Sequence, residues 1–207
     1  MSGSLSIFYF IVLIFSIIVH EVAHGLAAER EGDPTARMLG RITLNPLKHI
    51  DWMGSVILPL ILILSQSGIV IGWAKPVPYN ADNLKRGNKS VALVSIAGIL
   101  VNLTIAVAFG LLLRVMVSTG GASQSFAEIA SVIVLVNLVL ALFNAIPLAP
   151  LDGFRFLSAV LPRSTEPFMR VVEQYSLPLL LAFIFFGWKV VAPLAFTLFS
   201  LITGISL

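Results

Sequence analysis

The chain contains no cysteine. That absence excludes a disulfide, a thiol nucleophile and any thiolate-ligated metal site. Charge is also scarce. Only 11% of the 207 residues are Asp, Glu, Lys or Arg, where a soluble domain carries about 25%. No Glu occurs between Glu31 and Glu128, and no Lys or Arg occurs in 115–126. Apolar residues make up 58% of the chain, and the mean hydropathy is +1.01. So much apolar surface excludes both a water-soluble globule and a disordered chain. The net charge is +3, but the 13 Lys and Arg are spread over short inter-segment stretches. They form no continuous basic face, which argues against a nucleic-acid partner. The partner implied by composition is the lipid bilayer.

A hydrocarbon core about 30 Å thick needs about 20 apolar residues in a helix. Residues 4–28, 91–113 and 127–149 meet that length. The first run lacks a positive n-region and a small-residue cleavage site, so it does not read as a cleaved signal peptide. Residues 174–206 are apolar except for Lys189, which divides them into two shorter segments or a hairpin. Residues 53–73 read differently. Pro59 falls inside the run, and Ser65-Gln66-Ser67-Gly68 breaks it in the middle, which leaves a kinked span or a re-entrant hairpin turning at the break. Polar stretches at 34–51 and 74–90 flank it, with short β-strands expected near 37–44 and 71–79. The expected fold is an all-α polytopic membrane protein with five to six membrane segments. It forms one domain over 1–207, with a C-terminal apolar hairpin at about 174–206.

The positive-inside rule orients these segments. Stretches 29–51 and 74–90 carry four Lys or Arg each, and 153–172 carries three. All three are expected on the cytoplasmic side, with the N-terminus and 115–126 outside. Two cytoplasmic stretches cannot flank a single crossing, so this arithmetic makes 53–73 re-entrant.

Near the end of the first run stands His20-Glu21-Val22-Ala23-His24. Positions i and i+4 share a helix face, so both imidazoles point at one spot. That spacing suits a zinc ion, with the intervening Glu21 beside a metal-bound water. A catalytic zinc needs a third protein ligand. The extension of the motif by a later His is missing, since 27–31 read Ala-Ala-Glu-Arg-Glu. Three candidates remain: His49, Asp51 and Asp152. Prolines 147 and 150 break the helix just before Asp152, which would aim its carboxylate inward. A zinc transporter or an inactive membrane scaffold would use the same pattern. The transporter would need polar residues continuing through the bilayer, and the intact Glu21 speaks for catalysis.

Four motifs in order complete the picture: HEVAHG at 20–25, NPLKHID at 45–51, GWAKPVP at 72–78 and NAIPLAPLDG at 144–153. Together they resemble the site-2 protease family of intramembrane zinc metalloproteases, over about residues 4–160. The resemblance implies His20, His24 and Asp152 as ligands of one zinc ion, and Glu21 as general base. It implies that Asn144 lines the active site and assists catalysis. Gly98 and Asn102 match a small-xxx-Asn pattern of the central helix and are expected to contact substrate. The implied substrate is a transmembrane protein, and the implied location is a prokaryotic cell membrane, with the active site near the cytoplasmic side. Two departures stand out: Ile99 follows Ala97-Gly98 where the family often has Pro, and Phe154 follows Asp152-Gly153 where it often has Gly. No PDZ or CBS module is expected within the chain. Asn102 and Asn137 also read as partners in hydrogen bonds between helices, worth about 0.6–2 kcal/mol each.

Overall fold

The computed structural model describes residues 3–65 and 72–206. Helix α1 runs Gly3–Arg30 and α2 is the single turn Thr35–Met38. Helix α3 covers Trp52–Leu64, α4 Asn88–Ser118 and α5 Gln124–Asn144. Helices α6 (Asp152–Val160), α7 (Glu166–Gln174) and α8 (Ser176–Thr203) complete the chain. Most of α1 together with α4, α5 and α8 makes four helices long and apolar enough to cross a membrane.

The helix limits follow from local chemistry. The Ser123 hydroxyl accepts from the Phe126 N–H at 3.2 Å and caps α5. Asp51 accepts from the Gly54 N–H at 2.7 Å and caps α3. Helix α4 starts after Gly87, whose φ of +51° suits a residue without Cβ. Its 31 residues give a length of about 46 Å, and it packs against α1, α5, α6 and α8. The core between α4, α5 and α8 joins Ala106, Leu113, Ala130, Val134, Leu138, Ala195 and Phe199. Small residues recur where helices cross, as expected when close packing rather than water exclusion drives association. A Cβ on Gly110 would press on Ile202 of α8.

Two expectations change. The run 174–206 is not divided: α8 continues through a π-helical turn at Phe183–Gly187, past Lys189 and over Pro193. A hairpin needs a turn signal, and one Lys in an apolar run supplies none, since its long stem lets the charge reach outward. Among the described residues, four candidate spans and one shorter apolar helix stand where five to six membrane segments are expected.

The second change concerns strands. Among the described residues there is none. Arg37 and Met38 belong to α2, and residues 72–80 form a strap with neither helix nor ladder; Ile71, the start of the expected strand, lies outside the described residues. Pro76 and Pro78 have no N–H, so a continuous ladder is denied to this stretch. Four of its N–H groups go instead to separate partners. Trp73 donates to Gly54 O at 3.2 Å and Lys75 to His49 O at 2.8 Å. Val77 donates to Glu21 Oε2 at 2.7 Å, and Asn80 to Asp33 Oδ2 at 2.6 Å. Arg41 clamps the other side, donating to the carbonyls of Lys75 at 2.8 Å and Pro76 at 3.2 Å. The bonds at Gly54 and His49 hold the entry to and exit from 53–73 side by side. The expected turn at Ser65–Gly68 falls largely on residues outside those described.

Candidate metal centre and active site

Three helices meet at the HEVAHG turn. Helix α1 presents His20 and His24 on one face, and their rings lie edge to face with centroids 4.7 Å apart. Asp152 opens α6, after the Pro-rich turn that ends α5. Gly153 allows that turn to close, because a Cβ there would collide with the backbone of Ala145 and Ile146. Asp152 Oδ2 lies 2.9 Å from His20 Nε2 and 3.1 Å from His24 Nε2, and the two Nε2 atoms are 3.1 Å apart. All three side chains are buried.

The outer ring nitrogens fix the chemistry of the inner ones. His24 Nδ1 lies 2.7 Å from the Val94 carbonyl, which can only accept, so Nδ1 carries the proton. His20 Nδ1 lies 3.0 Å from Asn102 Oδ1 and donates to it. In the neutral rings both Nε2 atoms are then left with lone pairs. Two lone pairs and a carboxylate oxygen then converge with no donor among them. A cation satisfies all three at once, and zinc takes His nitrogen and Asp oxygen together. The donor set therefore fits the ion that the motif implies. Among the described residues, it is the one group of three such side chains close enough to share a metal.

The other candidates for third ligand are used elsewhere. His49 is buried, with Nε2 at 2.9 Å from Thr43 O, and Asp51 caps α3. Gly98 and Asn102, expected to contact substrate, are buried on α4 against the His20 ring. A Cβ on Gly98 would overlap the His20 imidazole, so the glycine lets α4 approach the ring. Phe154 points away from the metal centre, packed with Ala149 and Met169.

A cavity of about 110 Å³ opens over the cluster, bordered by Glu21, Val77, Tyr79, Asn144, Asp152 and Arg155. That is room enough to admit water. Asn144 donates from Nδ2 to Leu140 O at 2.9 Å and keeps its second N–H. Residue-type reasoning missed the Val94 carbonyl and the Val77 N–H. Both are backbone groups, for which no side-chain pattern exists. It also missed Arg155, whose place at the cavity follows from its position one turn after Asp152.

Comparison with known proteins identifies the family. The profile of Peptidase family M50 matches residues 115–187. YwhC of Bacillus subtilis (strain 168), a proposed zinc metalloprotease, is 38% identical over 178 residues, covering 83% of this chain and 77% of its own. Rip2 of Mycolicibacterium smegmatis, also a proposed zinc metalloprotease, is 28% identical over 169 residues, covering 78% of this chain and 60% of its own. No solved structure matches. The chain thus belongs to peptidase family M50, the site-2 proteases, which are membrane zinc metalloendopeptidases.

Proposed function

We propose that this protein is an intramembrane endopeptidase that cuts transmembrane segments of membrane-bound proteins. The observation that carries the reading is the convergence of His20, His24 and Asp152 on one point, with Glu21 bordering the same cavity. In this reading those three residues hold the metal. Zinc, when bound, supplies a Lewis acid and makes water acidic enough to attack near neutral pH.

The rest is done by the chain. Glu21 accepts a proton during attack on the scissile carbonyl and returns it to the leaving amine. The Val77 N–H occupies one carboxylate oxygen, Oε2, which orients the group and leaves Oε1 for the proton. The second N–H of Asn144 donates to the developing oxyanion. A transmembrane helix protects its own peptide bonds, so the substrate unwinds locally before it reaches Glu21.

The site lies near the cytoplasmic side of the membrane, by the charge asymmetry of the loops, and the bacterial relatives make that a prokaryotic cell membrane. Segment 53–73 enters and leaves on that side. The hydrogen bonds that tie Gly54 to Trp73 and His49 to Lys75 support this reading. The catalytic core covers about residues 4–160. The polar groups deeper in the bundle, Ser16, Asn102 and Asn137, are buried and bonded to one another, which favours a protease over a zinc conduit.

The test is co-reconstitution with a tagged single-span protein and mapping of the cut by mass spectrometry. A chelator-sensitive cut inside the apolar span is expected. Cuts confined to soluble loops would contradict the proposal.

A further inference from the structure

Asn137 borders no part of the active-site cavity and touches no metal ligand, yet it is a fully buried polar side chain in the middle of a membrane-length helix. Its amide joins a closed circuit. Asn137 Nδ2 donates to the Ser16 hydroxyl at 3.0 Å and to the Ile133 carbonyl at 2.9 Å. Asn102 Nδ2 donates to Asn137 Oδ1 at 3.1 Å, and Asn102 Oδ1 lies 3.0 Å from His20 Nδ1. Ser16 and His20 stand one turn apart on α1, so the circuit runs through α5 and α4 and returns to the helix it left.

The direction of this circuit is dictated by one atom. The Ile133 carbonyl only accepts, so Asn137 must turn its NH₂ toward it. Its oxygen then faces Asn102, which must answer with its own NH₂. Asn102 consequently presents oxygen to His20, and only an imidazole with its proton on Nδ1 can meet it. The Nε2 lone pair is thereby aimed at Asp152. Without Asn137, Asn102 would be free to turn over and donate to a bare Nδ1, with the His20 proton moved to Nε2, facing Asp152. That arrangement leaves Asn102 with one unpaired atom either way but gives Asp152 a donor, so it competes with metal binding.

We propose that Asn137 is a positioning residue that sets the tautomer of His20 through Asn102, and thereby the zinc affinity of a ligand it never touches. The proposal rests on the reading of His20 as a zinc ligand. Metal-ligating histidines depend on the group that holds their second nitrogen, and loss of that group typically costs 10–100-fold in metal affinity. Here the same control is exercised from one residue further away.

Zinc affinity measured by chelator competition tests it on the purified full chain. Asn137→Leu, a substitution of similar shape that keeps the helix apolar, should weaken zinc by about 10–100-fold and alter the visible spectrum of the cobalt-loaded protein. Asn102→Leu should also weaken zinc, and adding Asn137→Leu to it should change nothing further, because the link is already cut. Ser16→Ala should bind zinc as the native chain does, since Ile133 still orients the amide. Independent, additive losses from the two asparagines would overturn the proposal. A second measurement needs no variant. The chain has three histidines, so ¹⁵N shifts of the metal-free native protein resolve each ring, and neutral His20 should carry its proton on Nδ1. A proton on Nε2 would overturn the relay even if Asn137→Leu fails to fold. Failure of the native chain to bind zinc would instead sink the ligand reading on which the proposal rests.

Discussion

Val77 donates its backbone N–H to Glu21 Oε2 at 2.7 Å across 56 positions of sequence. The bond ties the strap 72–80 to the residue assigned as base. Gly25 makes the approach possible. A Cβ there would lie 2.9 Å from Val77 Cγ1 and 3.2 Å from Ala36 Cβ. Gly25→Val should therefore lift the strap and misplace Glu21. We expect zinc to be retained and cleavage to fall by about 100-fold, the scale of a 1 Å misplacement. Native cleavage rates in this variant would show that the strap does not orient the base.

Asp152 and His49 make opposite predictions about metal. Asp152→Ala removes one of three converging acceptors and should strip most of the zinc found by elemental analysis. His49→Ala lies outside the cluster, bonded to Thr43 O, and should retain about one zinc per chain. The reverse pattern would reassign the third ligand.

Acid should loosen the strap through Asp33. This buried carboxylate accepts from Asn83 Nδ2 at 2.9 Å, from Asn80 N, and from both the N–H and the hydroxyl of Thr35. Burial opposes its ionisation, and the hydrogen bonds from Asn83, Thr35 and Asn80 outweigh that, holding its pKa below the usual value. A lowered folded pKa means stability that is present above the unfolded value, about 3.9, and lost as pH falls through the folded one. Asp33→Ala leaves these donors unpaired and should cost about 2 kcal/mol. Its thermal unfolding should also lose the share of the acid-dependent drop that Asp33 is expected to contribute in the native chain. An unchanged melting curve would remove Asp33 from the account.

Much of the site was legible in the sequence. His20, Glu21 and His24 follow from helical spacing, and the prolines before Asp152 mark a helix break that the structure places between α5 and α6. The remainder depends on contacts that residue types do not encode. Gly98 reads as a substrate contact because its pattern names a residue, not the ring it packs against. The strap reads as a strand near 71–79, but its partners are the side chains of Glu21, Asp33 and Arg41 and two isolated carbonyls, those of Gly54 and His49. Lys189 reads as a divider because hydropathy counts its charge and ignores its stem.

Membrane topology can be read by labelling single cysteines in a chain that has none of its own. Ser90 is unsuitable, being buried and bonded to Glu31, whereas Met38 and Lys89 are exposed. Cysteines at Met38 and Lys89 should react with an impermeant reagent only from the cytoplasmic face. A cysteine at Gly120 should react only from outside. Reaction of Lys89→Cys from outside would mean that 53–73 crosses the membrane completely.

The central claim is that Glu21 performs proton transfer at a metal centre built by its neighbours. The most direct test compares Glu21→Gln with the native chain, both reconstituted with a transmembrane substrate and assayed for cleavage and zinc content together. The amide preserves shape but cannot take the proton. The account predicts about one zinc per chain and no detectable cleavage. Cleavage near the native rate, with zinc bound, would contradict it.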